Sequence, residues 1–216
     1  MPISMRNTFF TSLMKQFYIF AFLIFLASNL MAESYVRIRG LQASPLLSSS
    51  SEKGKFKSGN SEIPLKTPPS LSQSTMISYG ILGIGSSSIT TTFTFSGKEY
   101  ILTSERFDGA FIFDGPGNTS LTFGAGFVSK GNGVISNQSS ELTSNTVNGR
   151  SWFGVFGLEY ELPVNLGFIG LEFTEILFGY RENQLEYSAF QNSSSTLSNK
   201  LKFKSIQYQF GVGFVF

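Results

Sequence analysis

The last eleven residues, Ile206-Gln-Tyr-Gln-Phe-Gly-Val-Gly-Phe-Val-Phe216, limit what this chain can fold into more than any other segment. Ile206, Tyr208, Phe210, Val212, Phe214 and Phe216 are apolar, while Gln207, Gln209, Gly211, Gly213 and Val215 fill the alternate positions. A period of two is that of a β-strand, whose successive side chains point to opposite faces. One face is therefore a ladder of large apolar groups and the other is small or amide-bearing. In a soluble sandwich the large face would be core, and a terminal aromatic would be an odd place to stop. In a membrane barrel the large face meets lipid and the small face a polar lumen.

The opposite end reads as an export signal. Phe17 to Ala27 is an eleven-residue apolar run behind Lys15, followed by Leu30-Met31-Ala32, a plausible cleavage point before Glu33. Such a run is too short to span a bilayer as a helix, which takes about 20 residues, but it suits a secretory signal. Residues 1–32 are expected to be a removed signal peptide, started from Met1, Met5 or Met14; the alternative is an uncleaved anchor. Removing them takes away Arg6 and Lys15 and leaves 14 basic and 14 acidic residues out of 16 and 14. A neutral mature chain without a basic aromatic-rich groove gives no reason to expect nucleic acid as a partner. The absence of cysteine excludes disulfides, thiolate metal sites and N-terminal lipidation.

Alternation recurs along the mature chain. Val36 and Ile38 oppose Arg37 and Arg39; Ile77, Tyr79 and Ile81 follow a Ser- and Pro-rich stretch over 42–73. Ile89, Thr91, Phe93 and Phe95 alternate with Thr90, Thr92, Thr94 and Ser96, which reads as apolar-out and polar-in. Phe107, Phe111 and Phe113 share one face, as do Leu121, Phe123, Ala125 and Phe127. Trp152, Phe156, Leu158 and Tyr160 form another row. Between 168 and 180 the parity changes, with Ile169, Leu171 and Phe173 on one face and Ile176, Phe178 and Tyr180 on the other, so a bulge is expected near Thr174 and Glu175. Eight strands result. Longer connections are expected at 42–73, 97–105, 130–150 and 182–199, and short turns near 86, 116 and 164.

That long–short alternation, together with the terminal aromatic ladder, resembles the small eight-stranded outer-membrane family that includes OmpX, the OmpA membrane domain and the Opa-type surface antigens. The resemblance implies an all-β, eight-stranded antiparallel up-and-down transmembrane β-barrel over 33–216, in the bacterial outer membrane. It also implies that Ile206, Tyr208, Phe210, Val212, Phe214 and Phe216 act as the assembly signal, because the segment resembles the C-terminal sorting signal of such barrels. Expected partners are outer-membrane lipid and lipopolysaccharide, the barrel assembly machinery and periplasmic chaperones, and a host or surface ligand at the loops.

Chemistry is sparse. Histidine is absent, so neither a Ser-His-Asp triad nor a histidine proton relay can form. Glu159 and Glu161 share one strand face, whereas glycosidic cleavage needs carboxylates across a cleft. No enzyme, cofactor or metal is expected. Turning the large-apolar face to lipid sends Arg37, Arg39, Arg106, Asp108, Glu159, Glu161, Glu172 and Arg181 inward. Charges that cannot stay isolated in a narrow lumen should pair. An eight-stranded barrel is just filled by its side chains, which favours a plugged wall; a gated path for ions or small solutes is the alternative. A secreted lipocalin-like carrier, with the Phe face lining a cavity, is a third reading. Gly83, Gly85, Gly124 and Gly126 are expected to make room inside. Trp152, Tyr160, Tyr180 and Tyr208 lie where an aromatic girdle would. Lys53, Lys55, Lys57 and Lys66, tempered by Glu52 and Glu62, make the first loop basic, and Asn118, Asn137 and Asn192 begin N-x-S/T triplets of no evident use.

Overall fold

The computed structural model describes residues 35–43, 53–58, 61–66, 71–95, 97–137, 140–161, 171–191, 196–197 and 200–216. The signal segment 1–32, the turn at 163–166, Ile169 and Asn192 lie outside these residues. Eight strands close a ring: β1 (Val36–Ala43), β2 (Leu71–Tyr79), β3 (Leu82–Phe95), β4 (Lys98–Gly115), β5 (Thr119–Asn137), β6 (Thr146–Glu161), β7 (Phe173–Ser188) and β8 (Lys200–Val215). Every neighbour is antiparallel, and β8 returns to β1. The seam is completed by Phe216, whose amide donates to the Val36 carbonyl at 2.8 Å while the Val36 amide donates to the Phe216 carbonyl at 2.9 Å. Closure leaves no unpaired edge along this seam.

Two tight turns bring the short connections to one end. Gly80 has a left-handed φ of 53° and joins β2 to β3 through only Gly80 and Ile81. Gly117 (φ 71°) and Asn118 (φ 56°) do the same between β4 and β5. The turn expected near residue 86 is therefore at 80–81, and Gly85 to Ser88 lie within β3.

The expected loops are largely strand. Residues 98–105 belong to β4, β5 runs to Asn137, and β7 runs to Ser188. Within 42–73, a hairpin of Lys53–Ser58 and Ser61–Lys66 adds to the upper part of β8. No register shift occurs at Thr174 or Glu175, because β7 begins only at Phe173 and keeps one parity. The bulge sits elsewhere, where Glu105 and Arg106 of β4 face Lys130 and Val128 of β5 and Ser129 is left over.

Outward rows are continuous around the wall. Phe156, Phe178 and Phe210 stand side by side across β6, β7 and β8; Leu158, Ile176 and Val212 form the next row, and Tyr160, Thr174 and Phe214 the next. Ile38, Ile77, Leu82, Ile84, Phe107, Phe111, Phe123 and Phe127 continue the belt, each exposed. Large aromatic and aliphatic groups left bare in contiguous rows are not the surface of a water-soluble protein. Trp152, Tyr180 and Tyr208 bound the belt above, with ring centroids 5.5 and 5.9 Å apart. From Trp152 to Tyr160 the belt takes about nine residues, the length that crosses a hydrocarbon layer when tilted.

Above that level the surface inverts. Ile89, Thr91 and Phe93 are buried and Thr90, Thr92 and Thr94 exposed, the reverse of the expected apolar-out reading. The outward row of β3 is Leu82, Ile84, Ser86, Ser88, Thr90, Thr92 and Thr94; it never changes parity, but from Thr90 on it faces water. Strand β8 shows the same change, with Lys200, Lys202 and Lys204 above Tyr208, Phe210, Val212 and Phe214. Phe113, expected outside with Phe107 and Phe111, is also buried.

Candidate functional site

Among the described residues, buried charged and polar side chains converge in the lumen, which is stratified. Nearest the tight turns, Arg39 donates through Nε to Glu175 Oε2 at 2.6 Å and through Nη2 to Glu175 Oε1. Its remaining hydrogens reach Thr122 Oγ1 at 2.6 Å and Ser120 Oγ at 2.9 Å. Arg37 donates through Nη2 to Asp114 at 2.6 Å and Glu159 at 3.2 Å, with its Nε 3.7 Å from Glu175. Two arginines thus hold three carboxylates together.

The next layer is apolar: Leu41, Met76, Ala110, Ile112, Phe153, Val155 and Leu177 are packed into one buried cluster. Above it lies a second polar layer. Arg181 donates bidentately to Asp108, at 3.1 and 2.8 Å, and to Ser87 at 2.7 Å, with its guanidinium 4.3 Å above the Phe153 ring. Arg106 donates to Asn183 Oδ1, whose amide donates in turn to Ser205 and Gln207 at 3.1 Å each. Gln209 donates to Ser72 at 3.2 Å. A final apolar cluster of Ile89, Phe93, Tyr100, Leu102, Ile135, Leu185, Tyr187, Phe190, Leu201 and Phe203 fills the part of the barrel above the belt. Burial raises the Tyr187 hydroxyl pKa well beyond its ordinary value, and that hydroxyl donates to the Thr103 carbonyl at 3.1 Å.

Small residues make room for these layers. A Cβ on Gly126 would collide with the Asp108 carboxylate and come within 2.8 Å of Ser151 Oγ, and one on Gly124 would run into the Phe153 ring. Asp108 and Phe153 take these positions because the neighbouring strand β5 offers no side chain beside them.

Of the eight residues expected inside, Arg37, Arg39, Arg106, Asp108 and Arg181 are buried and Glu159 is largely covered. Glu161 and Glu172 are exposed instead. Glu161 has inward parity but stands at the end of β6, past the rim; Glu172 precedes β7 and has outward parity. Their places are taken by Glu175 and Asp114, so that in the described lumen Arg37, Arg39 and Arg181 pair with Asp108, Asp114, Glu159 and Glu175, while Arg106 bonds Asn183 and leaves its Nε and Nη2 without a hydrogen-bond partner. Both were detectable: Glu175 alternates with outward Ile176, Phe178 and Tyr180, and Asp114 continues the series Arg106, Asp108, Ala110 and Ile112. The six residues of the terminal ladder all lie on the outer face of β8 or its end, with Ile206 and Phe216 half-buried and the others exposed.

Belt, girdle, closed ring and turns gathered at one end make this an eight-stranded antiparallel transmembrane β-barrel. No protein-family model and no curated protein matches the chain. Among solved structures, it is similar to Ail, the attachment invasion locus protein of Yersinia pestis, with 12% identity over 86% of this chain and 100% of that one and a TM-score of 0.46. It is also similar to OprG from Pseudomonas aeruginosa, with 10% identity over 85% and 96% and a TM-score of 0.44. Neisserial surface protein A gives 14% identity over 85% and 97%, with a TM-score of 0.42. At these values the likenesses carry neither ligand nor activity to this chain.

Proposed function

We propose that the protein is a non-conducting, non-catalytic barrel of the bacterial outer membrane, serving envelope structure or surface recognition through the end that carries its long connections. The observation that supports this reading is the stratified lumen. An ion entering from either side would have to pass two layers of packed apolar side chains, where an unpaired charge costs several kcal/mol. Arg39 and Arg181 are held by carboxylates and hydroxyls of the wall and Arg106 by the Asn183 amide, with Arg106 Nε and Nη2 left without hydrogen-bond partners.

The upper half supports the surface role. Above the belt the barrel is built like a soluble protein, with a dry core of Phe93, Tyr100, Phe190 and Phe203 and an exterior of Thr, Asn, Lys and Glu. It forms a stiff pedestal that lifts the connections away from the lipid. A lipocalin-like carrier is disfavoured, because the aromatic rows of the lower half face outward and line no cavity.

Planar-bilayer recording of the refolded protein tests the reading. The plugged barrel gives a silent membrane. Steady openings that disappear when Asp108 and Arg181 are replaced by Asn and Gln would overturn it in favour of a channel.

A further inference from the structure

Among the described arginines of the lumen, Arg106 alone has no carboxylate partner. Arg37 and Arg39 are paired with Asp114, Glu159 and Glu175, and Arg181 with Asp108. The Arg106 side chain is 1% exposed, and its Nη1 donates to Asn183 Oδ1. Its Nε and Nη2 have no hydrogen-bond partner. These two nitrogens share one edge of the guanidinium plane. On Arg39 the same edge grips both oxygens of Glu175. Two parallel N–H groups in that geometry match an anion that offers two oxygens.

The surrounding groups leave that edge open. Both oxygens of Asp108 are held by Arg181, and the Asn183 amide hydrogens go to Ser205 and Gln207. Glu105 and Glu182, the carboxylates nearest in sequence to Arg106 and Arg181, lie on the outer face and bind Lys130 and Lys204. The upper polar layer therefore sets two guanidinium groups against one carboxylate. A guanidinium stays protonated in a protein, and a buried charge without a counterion is strongly destabilising. A third donor stands nearby in register: the Ser74 hydroxyl, on the inward row Ser74, Ser87, Arg106 across β2, β3 and β4, is also buried without a partner.

We infer that the upper polar layer binds a small monovalent carboxylate-type anion, seated edge-on against Arg106 Nε and Nη2. One negative charge brings the layer to neutrality, which selects a monovalent species. Ile89, Leu102 and Tyr187 pack above the layer and Ile112 and Phe153 below it, which restricts the occupant to about the size of formate. Closed on both sides, the layer takes up its anion as the barrel folds. The site requires only the closed lumen and holds whether or not the barrel conducts.

The test refolds the full barrel in a neutral maltoside micelle at constant ionic strength, with formate replacing a bulky morpholine sulfonate in steps. The arginine Nε–H signals are followed by nitrogen-15 NMR, that of Arg106 being assigned by its loss in Arg106→Met. It should move downfield and saturate with formate, while the signals of Arg39, already bonded to Glu175, and of exposed Arg150 stay in place. At a formate concentration about ten times that of half-saturation, the unfolding equilibrium constant should fall roughly tenfold. Arg106→Met should lose this dependence and, without formate, be at least as stable as wild type, because the uncompensated charge is gone. Arg150→Gln should keep the dependence. An Arg106 signal blind to formate, a shift shared by Arg150, or a formate effect that survives in Arg106→Met overturns the site. A signal that ignores formate but exchanges with solvent assigns the edge to an internal water and overturns it equally. If Arg106→Met never gains the compact band of a folded barrel on unheated gels, the wild-type titration decides alone.

Discussion

Arg39 of β1 and Glu175 of β7 meet inside the barrel across the width of β8, the guanidinium facing the carboxylate through both Nε and Nη2. Both are buried, and Ser120 donates to the same carboxylate at 3.0 Å. The pair joins the first strand to the seventh around the seam where the ring closes. Removing one partner leaves a buried charge without its counterion, so Glu175→Ala is expected to lower stability by about 3–5 kcal/mol. Replacing both with Met should recover most of that loss, since a well-packed apolar pair of similar size avoids the desolvation altogether. Denaturant titration of the three variants in micelles, followed by tryptophan fluorescence, measures the difference.

Gly126 and Gly109 offer a paired test of lumen packing. A methyl at Gly126 collides with Asp108, whereas one at the outward-facing Gly109 meets nothing within 4 Å. Gly126→Ala should cost about 1–3 kcal/mol by forcing Asp108 away from Arg181, and Gly109→Ala should stay within about 0.5 kcal/mol of wild type. Similar values for the two would contradict the close approach.

Acid should remove one set of ion pairs selectively. Glu186, above the membrane, has its carboxyl held below the ordinary value chiefly by the Lys200 ammonium, with burial acting in the opposite direction. A depressed folded pKa contributes stability that is fully present above the unfolded value, about 4.3, and lost as pH falls through the folded value. The group is partly exposed, so the effect is small, about 0.2–1 kcal/mol. Glu186→Gln should therefore be slightly less stable than wild type at pH 7 and indistinguishable from it at pH 2.

Deleting Phe216 is expected to impair assembly while leaving export intact. The deletion removes both terminal hydrogen bonds to Val36 and the last outward aromatic of the ladder. Fractionation of cells expressing the truncated chain, with protease sensitivity as the readout, checks this. Normal insertion would count against the terminal ladder as an assembly signal.

The fold class was legible because alternation in β8 reports a strand whatever surrounds it, and because four arginines at inward parity had to find partners. Orientation was not legible beyond the belt. Ile89-Thr-Thr-Thr-Phe93-Thr-Phe95 has one periodicity whether its large groups meet lipid or a dry interior, and only the height of the segment decides between them. Loop lengths misled for a related reason: Gly-, Ser- and Asn-rich stretches such as 130–137 are strand here, held by pairing with β4 rather than by local propensity. The bulge at Ser129 left no separate mark, since Val128, Ser129 and Lys130 are ordinary strand residues. Glu175 was missed by placing a bulge where the parity of Ile176, Phe178 and Tyr180 already pointed it inward.

The central claim is that one continuous outer face passes from lipid to water part-way up each strand. The chain has no cysteine, so single nitroxide labels can be placed at will on the refolded barrel in bilayers, and their collision rates with oxygen and with a water-soluble nickel chelate compared. Labels at Ile84, Phe178, Phe210 and Val212 should favour oxygen, while those at Thr90, Thr92, Lys202 and Asn148 should favour nickel, with the crossover at the level of Tyr180 and Tyr208. Oxygen-dominated collisions at Thr92 and Lys202, or nickel-dominated collisions at Phe178 and Phe210, would contradict the account.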